Sequence, residues 1–379
     1  MKVLLVSPRL PQGHPLYGGD NAYTDTILQN PPPGVEYHHY EDLIGAGSIR
    51  KIAFWYSLGP RLKNLCILPP DLWAEYLHSE FVPDIVHIVG FSAAVDFQPG
   101  IRVPVILEAP SGSVSDLIVK LGWSEKRTRF AHRIKRQYLK LANAHDSNLN
   151  NDNAYKVIVQ SEHSRYLHEK YGYGDPEKLV VLRPAVPEPQ APIQVHPRET
   201  ITMAFVGGDF ERKNGPLVVE AFRIVHARYP NTRLILIGRS KNDQIIQCEG
   251  IEHHLSLSRM AIYQQIYPQA DILLFPTQAE GGFGVVIYEA MRFGLAVISV
   301  EAWAIPEIVV NDETGLLIPH PPSLDTLVDA IIDIVKNPEK LLNMRNQALQ
   351  RALSKYALSE RQRQLGSIYS AALNAGNKR

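Results

Sequence analysis

The sequence predicts an α/β fold built from two doubly wound parallel sheets. Short, continuous apolar runs recur along the chain, for example at residues 2–7 and 202–206, and parallel sheets bury such strands on both faces. Each run leads into a glycine-rich loop and then into a stretch with helical spacing. This alternation occurs in both halves of the 379-residue chain, which is long enough for two cores. Ligands of such sheets bind at the carboxyl ends of the strands, so the glycine loops are the candidate sites.

A proline-rich segment separates the two halves. Residues 183–192 contain four prolines, and proline at this density makes a stiff, extended connection. We therefore predict an amino-terminal domain at residues 1–185 and a carboxy-terminal domain at residues 186–357.

Charge and composition exclude several classes of protein. The 39 lysines and arginines balance 39 acidic residues, so no overall field points to nucleic acid. No run of about 18 apolar residues is present, which argues against a transmembrane helix. The first apolar run is too short for a signal peptide. The two cysteines, Cys66 and Cys248, lie far apart without neighbouring metal ligands, so we expect a reduced, cytoplasmic protein.

Residues 270–294 are the stretch around which the predicted site is organised. An apolar run of strand length leads into a loop that holds Glu280 and three glycines, and a helical pattern follows. Glycines allow close backbone approach, and the N–H groups at a helix start bind anions. Glu289 lies about one turn inside this helix, where a carboxylate can accept hydrogen bonds from hydroxyls but cannot bind phosphate. The pattern therefore predicts a ligand that carries phosphate beside ribose or sugar.

A second glycine loop follows residues 202–206. It contains Gly207 and Gly208 and then two adjacent cations, Arg212 and Lys213, at the start of a predicted helix. Arginine offers a bidentate fork and lysine a compact charge, so the pair is suited to clamp a diphosphate. The loop lacks the Gly-Lys-Ser/Thr of a Walker motif. The alternative is an exposed basic loop without a ligand.

The first of these two stretches resembles the donor-site signature of the family 4 retaining glycosyltransferases. These enzymes have the GT-B fold, in which two Rossmann-like domains face each other across a cleft. Phe283, Gly284 and Glu289 match the signature. The family places its first glutamate eight residues before the second, whereas Glu280 lies one residue earlier than that. We hypothesise that an extra glycine bulges the loop and still delivers Glu280 to the sugar. The second loop is also similar to the family, except that Asn214 replaces a glycine.

The resemblance assigns roles to residues in other loops. Gly18 and Gly19 stand where the family has a double glycine facing the donor diphosphate, and Gly238 and Arg239 stand where it has a loop beside the nucleotide base. Glu108 stands where many relatives have a histidine that contacts the transferred sugar, and it either takes over that contact or caps the loop. The catalytic candidates are Arg212, Lys213, Glu280 and Glu108. The donor-binding candidates are Gly18, Gly19, Gly207, Gly208, Gly238, Arg239, Gly282, Phe283, Gly284, Val285 and Glu289.

The activity implied by the resemblance is that of a retaining, hexosyltransferase-type enzyme. Such an enzyme moves a sugar from a nucleoside diphosphate sugar to an acceptor hydroxyl, in glycan, glycolipid or polysaccharide synthesis. The resemblance also implies front-face attack, no cofactor, no bound metal, and a final helix at about residues 358–379 that packs on the first domain. Two alternatives remain: another GT-B enzyme, such as a sugar-nucleotide epimerase, and a non-catalytic sugar-nucleotide-binding subunit. The first loop lacks G-x-G-x-x-G, which argues against a dinucleotide oxidoreductase.

Residues 117–145 have the pattern of a basic amphipathic helix. Ile134, Tyr138 and Leu141 recur at helical spacing with Phe130 one turn earlier, among eight basic residues. Such a helix suits an anionic membrane surface or an anionic acceptor. The alternative is a solvated helix packed on a sheet. The protein is thus expected to be either free in the cytoplasm or peripheral at the inner membrane face.

Overall fold

The computed structural model describes most of the chain in two compact units. The described residues are 1–7, 19–40, 42, 81–90, 103–109, 122–141, 153–171, 175–186, 189, 191–240, 246, 248–280 and 283–376. One unit comprises Met1–Arg183 together with Ser359–Arg379, and the other comprises Pro184–Leu358. Each unit contains one parallel sheet of six described strands with flanking helices. The predicted α/β class with two doubly wound parallel sheets is therefore confirmed.

The first unit alternates strands and helices along the chain. In chain order its elements are β1 (Lys2–Val6), α1 (Gly19–Gln29), β2 (Glu36–His39), β3 (Ile85–Val89), β4 (Val105–Glu108), α2 (Glu125–Leu141), β5 (Lys156–Val159), α3 (Glu162–Tyr171), a 3₁₀ turn (Pro176–Lys178) and β6 (Leu179–Val181). The strand order in the sheet is β2-β1-β3-β4-β5-β6. The order therefore reverses direction between β1 and β3.

The edge strand β2 is an element that the sequence analysis did not predict. It reads Glu-Tyr-His-His and lacks the apolar run that marks the other strands. Only its last residue, His39, is fully buried, and its Nε2 lies 3.1 Å from Oγ of Ser7. Pairing with β1 thus organises this strand despite its polar composition.

The second unit has the same architecture. In chain order its elements are β7 (Ile201–Val206), α4 (Gly215–Arg228), β8 (Thr232–Ile237), β9 (Ile251–His254), three consecutive helical turns (Arg259–Ala261, Ile262–Ile266 and Tyr267–Gln269), β10 (Ile272–Phe275), α5 (Val285–Arg292), β11 (Ala296–Val300), α6 (Ile305–Ile308), β12 (Gly315–Ile318), α7 (Leu324–Val335) and α8 (Pro338–Lys355). The strand order is β12-β11-β10-β7-β8-β9. It reverses direction between β7 and β10, so the loops after these two strands meet at the switch point, where such sheets bind ligands.

A buried ion pair fixes the start of β10 in the second unit. Asp271 is almost fully buried, and its Oδ1 lies 2.7 Å from Nη1 of Arg345 on α8. Its other oxygen accepts a hydrogen bond of 2.8 Å from the backbone N–H of Thr202. Arg345 also donates to the carbonyl of Gly294 at 2.9 Å. The pair therefore connects α8 to β10, to β7 and to the end of α5.

The final helix, α9 (Leu358–Gly376), belongs to the first unit. Tyr369 is fully buried against the sheet, and its hydroxyl lies 2.6 Å from Nδ1 of His87 and 2.9 Å from the hydroxyl of Tyr37. Arg361 reaches Glu108 at the end of β4, with its Nη2 2.9 and 3.1 Å from the two carboxylate oxygens. Apolar and polar contacts thus both hold α9 on the sheet.

Glu108 is fully buried among groups that donate to it. Besides Arg361, Tyr23 on α1 donates a hydrogen bond to Oε1, and Nε2 of His87 lies 3.4 Å from Oε2. Burial by itself raises the pKa of Glu108, but Arg361, His87 and Tyr23 outweigh it and hold the pKa at about 2. The carboxylate is therefore ionised inside the unit and connects α1, β4 and α9.

We expect Arg361→Met to destabilise the first unit by about 3–5 kcal/mol, because it leaves a buried carboxylate without its cation. Hydrogen exchange of the β3 and β4 amides measures this opening free energy. The matched control is Arg363→Met, since Arg363 lies on the same helix and pairs with Glu360 at the surface. Equal protection in the two variants would contradict this assignment.

The same pair has a pH dependence of definite sign. The wild-type pKa of about 2 lies below the ordinary value of 4.5, so the stabilisation is present above pH 4.5 and is lost as the pH falls towards 2. In Arg361→Met the buried carboxyl has a raised pKa, so its burial costs most at neutral pH. We therefore expect the difference in melting temperature between wild type and variant to shrink from pH 7 to pH 3. A constant difference would contradict the ionised state of Glu108.

Candidate functional site

The loops after β7, β8 and β10 lie together at the switch point of the second unit. The N–H of Gly207 donates to the carbonyl of Ile237 at 2.9 Å. A Cβ atom on Gly238 would lie only 2.5 Å from the carbonyl oxygen of Gly207, and one on Gly207 would lie 3.1 Å from Lys213. Position 238 therefore requires glycine, and position 207 leaves little room for a side chain, because the two loops and Lys213 are in close contact. Gly208 faces open space, and Arg239 follows Gly238.

Arg212, Lys213 and Glu280 form one cluster. Lys213 makes an ion pair with Glu280, and its Nζ also lies 4.3 Å from the centre of the Phe275 ring. Arg212 donates from Nη1 to the carbonyl of Ala279 at 2.7 Å, and this nitrogen lies 3.8 Å from Oε2 of Glu280. Two loops that are distant in sequence thus place two cations beside one carboxylate. All three side chains are partly shielded from solvent, so water screens the interactions between their charges less than at an exposed surface.

Asn214, the residue after Lys213, replaces the glycine of the family pattern in this loop, and its backbone conformation explains why it can do so. Asn214 has φ 65° and ψ 34°, which is the left-handed region that favours glycine. Asparagine is the residue that enters this region most readily after glycine. Its Oδ1 accepts a hydrogen bond of 3.2 Å from Gln278 in the neighbouring loop. Asn214 therefore keeps the backbone geometry that a glycine would give and adds a contact between the loops.

Phe283 and Gly284 prepare the start of α5. The Phe283 ring is buried against Tyr288 and Tyr356, with ring centres 5.5 and 5.8 Å apart, so its side chain belongs to the core. Gly284 has φ 62° and is the residue before the helix. Val285 begins α5, where the first-turn N–H groups have no acceptor within the helix. An anion at this point would meet backbone N–H groups rather than the Phe283 side chain.

Glu289 is buried on α5 and is held by two groups that the sequence analysis missed. Tyr263 donates a hydrogen bond of 2.7 Å to Oε1, and Arg259 makes an ion pair with the same oxygen. Burial raises the pKa of Glu289, while Arg259 and Tyr263 oppose this rise. Arg259 and Tyr263 lie in a segment without a glycine loop or motif, so nothing in the sequence marked them.

The remaining predicted residues are Gly18, Gly19, Gly282 and Glu108. Gly18 and Gly282 lie outside the described residues, and Gly19 is the first residue of α1. Glu108 is enclosed in the first unit and bonded to Arg361, which favours a structural role for its carboxylate over contact with a sugar. Within the described ranges, no group of three or more His, Cys, Asp or Glu side chains could hold a metal ion.

The fold and the loops define a doubly wound α/β protein with a candidate anion site at a switch point. Residues 188–351, within the second unit, match the family described as Glycosyl transferases group 1. Phosphatidyl-myo-inositol mannosyltransferase of Mycobacterium tuberculosis is 28% identical over 194 residues, which are 48% of this chain and 50% of that protein. The match thus spans about half the length of this relative.

Two solved structures resemble the whole chain. Sucrose-phosphate synthase from Thermosynechococcus elongatus has a TM-score of 0.65 at 16% identity and covers 99% of each chain. HepE from Anabaena, in complex with UDP-glucose, has a TM-score of 0.62 at 14% identity and covers 98% of this chain and 100% of its own. At such identities the likeness shows the fold alone, which is GT-B. The sequence match to the group 1 glycosyl transferases is thus confined to residues 188–351, within the second unit.

We expect Asn214→Gly to keep the stability of the second unit within about 0.5 kcal/mol and Asn214→Ala to lower it by about 1 kcal/mol, because alanine has no local hydrogen bond to offset the left-handed backbone. Thermal unfolding of both variants measures the difference. Asn346→Ala, at an exposed position of α8, is the control and should be neutral or slightly stabilising. An alanine variant as stable as the glycine variant would contradict the role given to this backbone geometry.

Proposed function

We propose that this protein is a retaining glycosyltransferase that moves a sugar from a nucleoside diphosphate sugar to an acceptor hydroxyl. The observation that carries the proposal is the cluster of Arg212, Lys213 and Glu280 at the switch point, on the two loops that precede α4 and α5 in the sequence. Two cations and a helix start suit a diphosphate, and carboxylates suit hydroxyls. The name of the mycobacterial relative and the UDP-glucose bound by HepE support the same class of reaction.

The cluster gives each side chain a role in the reaction. Arg212, Lys213 and the N–H groups at Gly284 and Val285 would stabilise the charge that develops on the leaving diphosphate. Glu280, now paired with Lys213, would turn to the sugar hydroxyls when the phosphate takes its place beside the lysine. The bond between the anomeric carbon and the phosphate oxygen breaks, and the acceptor oxygen bonds to the same face of that carbon. The acceptor proton passes to the departing phosphate oxygen.

Nucleotide binding is the first test of this proposal. In a thermal-shift panel of UDP, GDP, ADP and their sugar conjugates, one nucleotide at about 100 times its Kd should stabilise the protein by about 2.7 kcal/mol. For a unit of this size that corresponds to a rise of roughly 5–10 °C in Tm. Lys213→Ala should abolish most of the shift, whereas Lys355→Ala, at the exposed end of α8, should retain it. EDTA should leave the shift unchanged, because the clamp supplies the positive charge.

The outcomes separate the competing functions. No shift with any nucleotide, from folded protein, would contradict the proposal. Nucleotide binding without sugar transfer to any acceptor would favour a non-catalytic sugar-nucleotide-binding subunit. Change of the sugar on the bound nucleotide without an acceptor would favour an epimerase. Phosphatidylinositol belongs in the acceptor screen because the mycobacterial relative is named for that lipid.

We also propose that α2 contacts an anionic membrane surface. Phe130 and Ile134, one turn apart, are 59% and 42% exposed, whereas Thr128 and Ala131 are buried. The exposed basic residues of the described part of the helix are Lys126, Arg127, Arg129 and Arg133. An apolar pair surrounded by cations matches the chemistry of an interface with acidic lipid. In the described part of the chain, no helix combines the length and the apolar character needed to span a bilayer.

Vesicle co-sedimentation tests this contact. We expect binding to vesicles that contain phosphatidylglycerol, weaker binding to pure phosphatidylcholine, and loss of binding at high salt, because the basic residues supply the attraction. The double variant Phe130→Ser/Ile134→Ser should bind at least tenfold more weakly, since it removes the two exposed apolar side chains that would enter the membrane. Ile224→Ser, at an exposed position of α4, is the control. Equal sedimentation with both lipids would contradict the proposal.

A further inference from the structure

Among the described residues, the hydrogen bond and the ion pair to the carboxylate of Glu289 involve only one of its two oxygens. Its side chain is 4% exposed, and both described contacts, from Arg259 and from Tyr263, are made to Oε1. A carboxylate oxygen has two lone pairs, so these two donors satisfy Oε1. The second oxygen, Oε2, takes part in neither contact and is the acceptor that remains for a ligand.

Arg259 is part of a closed set of three side chains. It begins the helical segment after β9, and the side chain of Ser258 caps this start. The guanidinium pairs with Glu289 and also donates from Nε to the hydroxyl of Tyr263 at 3.1 Å. Tyr263 in turn donates to Glu289, so each member of the set contacts the other two. Such a closed arrangement fixes the orientation of the carboxylate.

The charge of the carboxylate also depends on this arrangement. Burial raises the pKa of Glu289, and Arg259 is the largest influence that opposes the rise, followed by Tyr263. Without the cation the pKa would rise further, and a protonated carboxyl group accepts hydrogen bonds from hydroxyls more weakly than an ionised one. Removal of Arg259 would therefore change both the orientation and the charge of Glu289.

We propose that Arg259 is a positioning residue for nucleotide recognition: it occupies Oε1 of Glu289 and fixes the orientation of the carboxylate, so that Oε2 accepts the ribose hydroxyls of the donor. This inference rests on the proposed function, since it requires that Glu289 binds the ribose of a nucleoside diphosphate. Arg259 acts through Glu289 in this assignment and need not touch the nucleotide. The alternative is a direct contact between Arg259 and the phosphates. The positioning role predicts that substitution of Arg259 weakens only nucleotides that carry ribose hydroxyls, whereas direct contact predicts that it weakens nucleotides with and without them.

Calorimetry with two nucleotides distinguishes these cases. The probe is whichever of UDP, GDP and ADP binds wild type most tightly, and its partner is the 2′,3′-dideoxy form of the same nucleotide. We expect Arg259→Met to weaken the ribonucleotide by about ten- to a hundredfold, the value of a hydrogen bond to a charged group. The dideoxynucleotide, which has no hydroxyl for Glu289, should bind wild type and variant equally. Arg259→Lys should restore part of the ribonucleotide affinity.

The matched control is Arg233→Met. Arg233 pairs with Glu252 in the same unit, near the starts of β8 and β9 and away from the carboxyl ends of these strands. It should leave both affinities unchanged. Equal weakening of both nucleotides by Arg259→Met would overturn the proposal in favour of direct phosphate contact. No weakening of either nucleotide would also overturn it.

A pH profile adds a readout that a purely structural role of Arg259 would not change. The groups that face Glu289 from the helical segment are Arg259, Tyr263 and Tyr267, and Tyr288 of α5 lies near Arg259. Burial raises the pKa of both Tyr263 and Tyr267, so these phenols remain neutral. Glu289 is thus the group of this set whose protonation the pH profile follows.

The ratio of ribonucleotide to dideoxynucleotide affinity isolates this titration, because both nucleotides carry the same phosphates. The ratio should fall as the pH falls and Glu289 becomes protonated. In Arg259→Met the fall should begin at higher pH, because the pKa of Glu289 rises further without the cation. The same profile in wild type and variant would contradict the proposal. If wild type binds none of the three nucleotides, it is the proposed function that fails.

Discussion

A carboxylate removed from water must be compensated by a cation, and this constraint organises both units. In the described part of the chain, buried carboxylates at the ends of strands or on a helix of the site each have an arginine partner. The pairs are Glu108–Arg361, Asp271–Arg345 and Glu289–Arg259. Each arginine comes from another segment of the chain, so the pairs also fix where helices lie on their sheets. Burying such pairs is seldom favourable in itself, but breaking one is costly, which makes them strong determinants of position.

The pair between Lys213 and Glu280 has a different character. Both residues belong to loops rather than to strands or helices, and both side chains keep some exposure to solvent. An ion pair of this kind can exchange partners when a charged ligand binds. The pair of Glu108 and Arg361 is buried, so a ligand cannot reach it in the same way. The site thus combines rigid support, from glycine contacts and buried arginines, with one exchangeable pair at the point where a diphosphate and a sugar would meet. This combination is what preorganised electrostatics requires.

Local sequence patterns predicted the parts of this protein that depend on local chemistry. Strands with continuous apolar runs, such as β7 and β10, and the loops that begin at Gly207 and Pro276 were found because apolar periodicity and glycine are visible in a short window. The polar strand β2 was missed because its pairing with β1 stabilises it, not its composition. The roles of the predicted site residues stay predictions.

Long-range partners were not predictable in the same way. Arg361 lies 253 residues from Glu108, and Arg259 lies in a segment without any motif. No spacing rule connects such residues, since only the folded sheet brings them together. The two readings of Glu108 could therefore be weighed only with the position of α9 in hand. Asn214 is the opposite case, because its left-handed backbone explains directly why a glycine suits that position in relatives.

The return of α9 to the first unit makes the second unit an insertion within the first. Pro184–Leu358 is continuous in sequence, whereas the first unit is completed by Ser359–Arg379. During synthesis from the amino terminus, the second unit can therefore complete its core while the first still lacks its last helix. Until α9 emerges, Glu108 has no arginine, and the face of the sheet that Tyr369 covers is open to solvent. The second unit can thus be completed before the first, although its sheet begins later in the sequence.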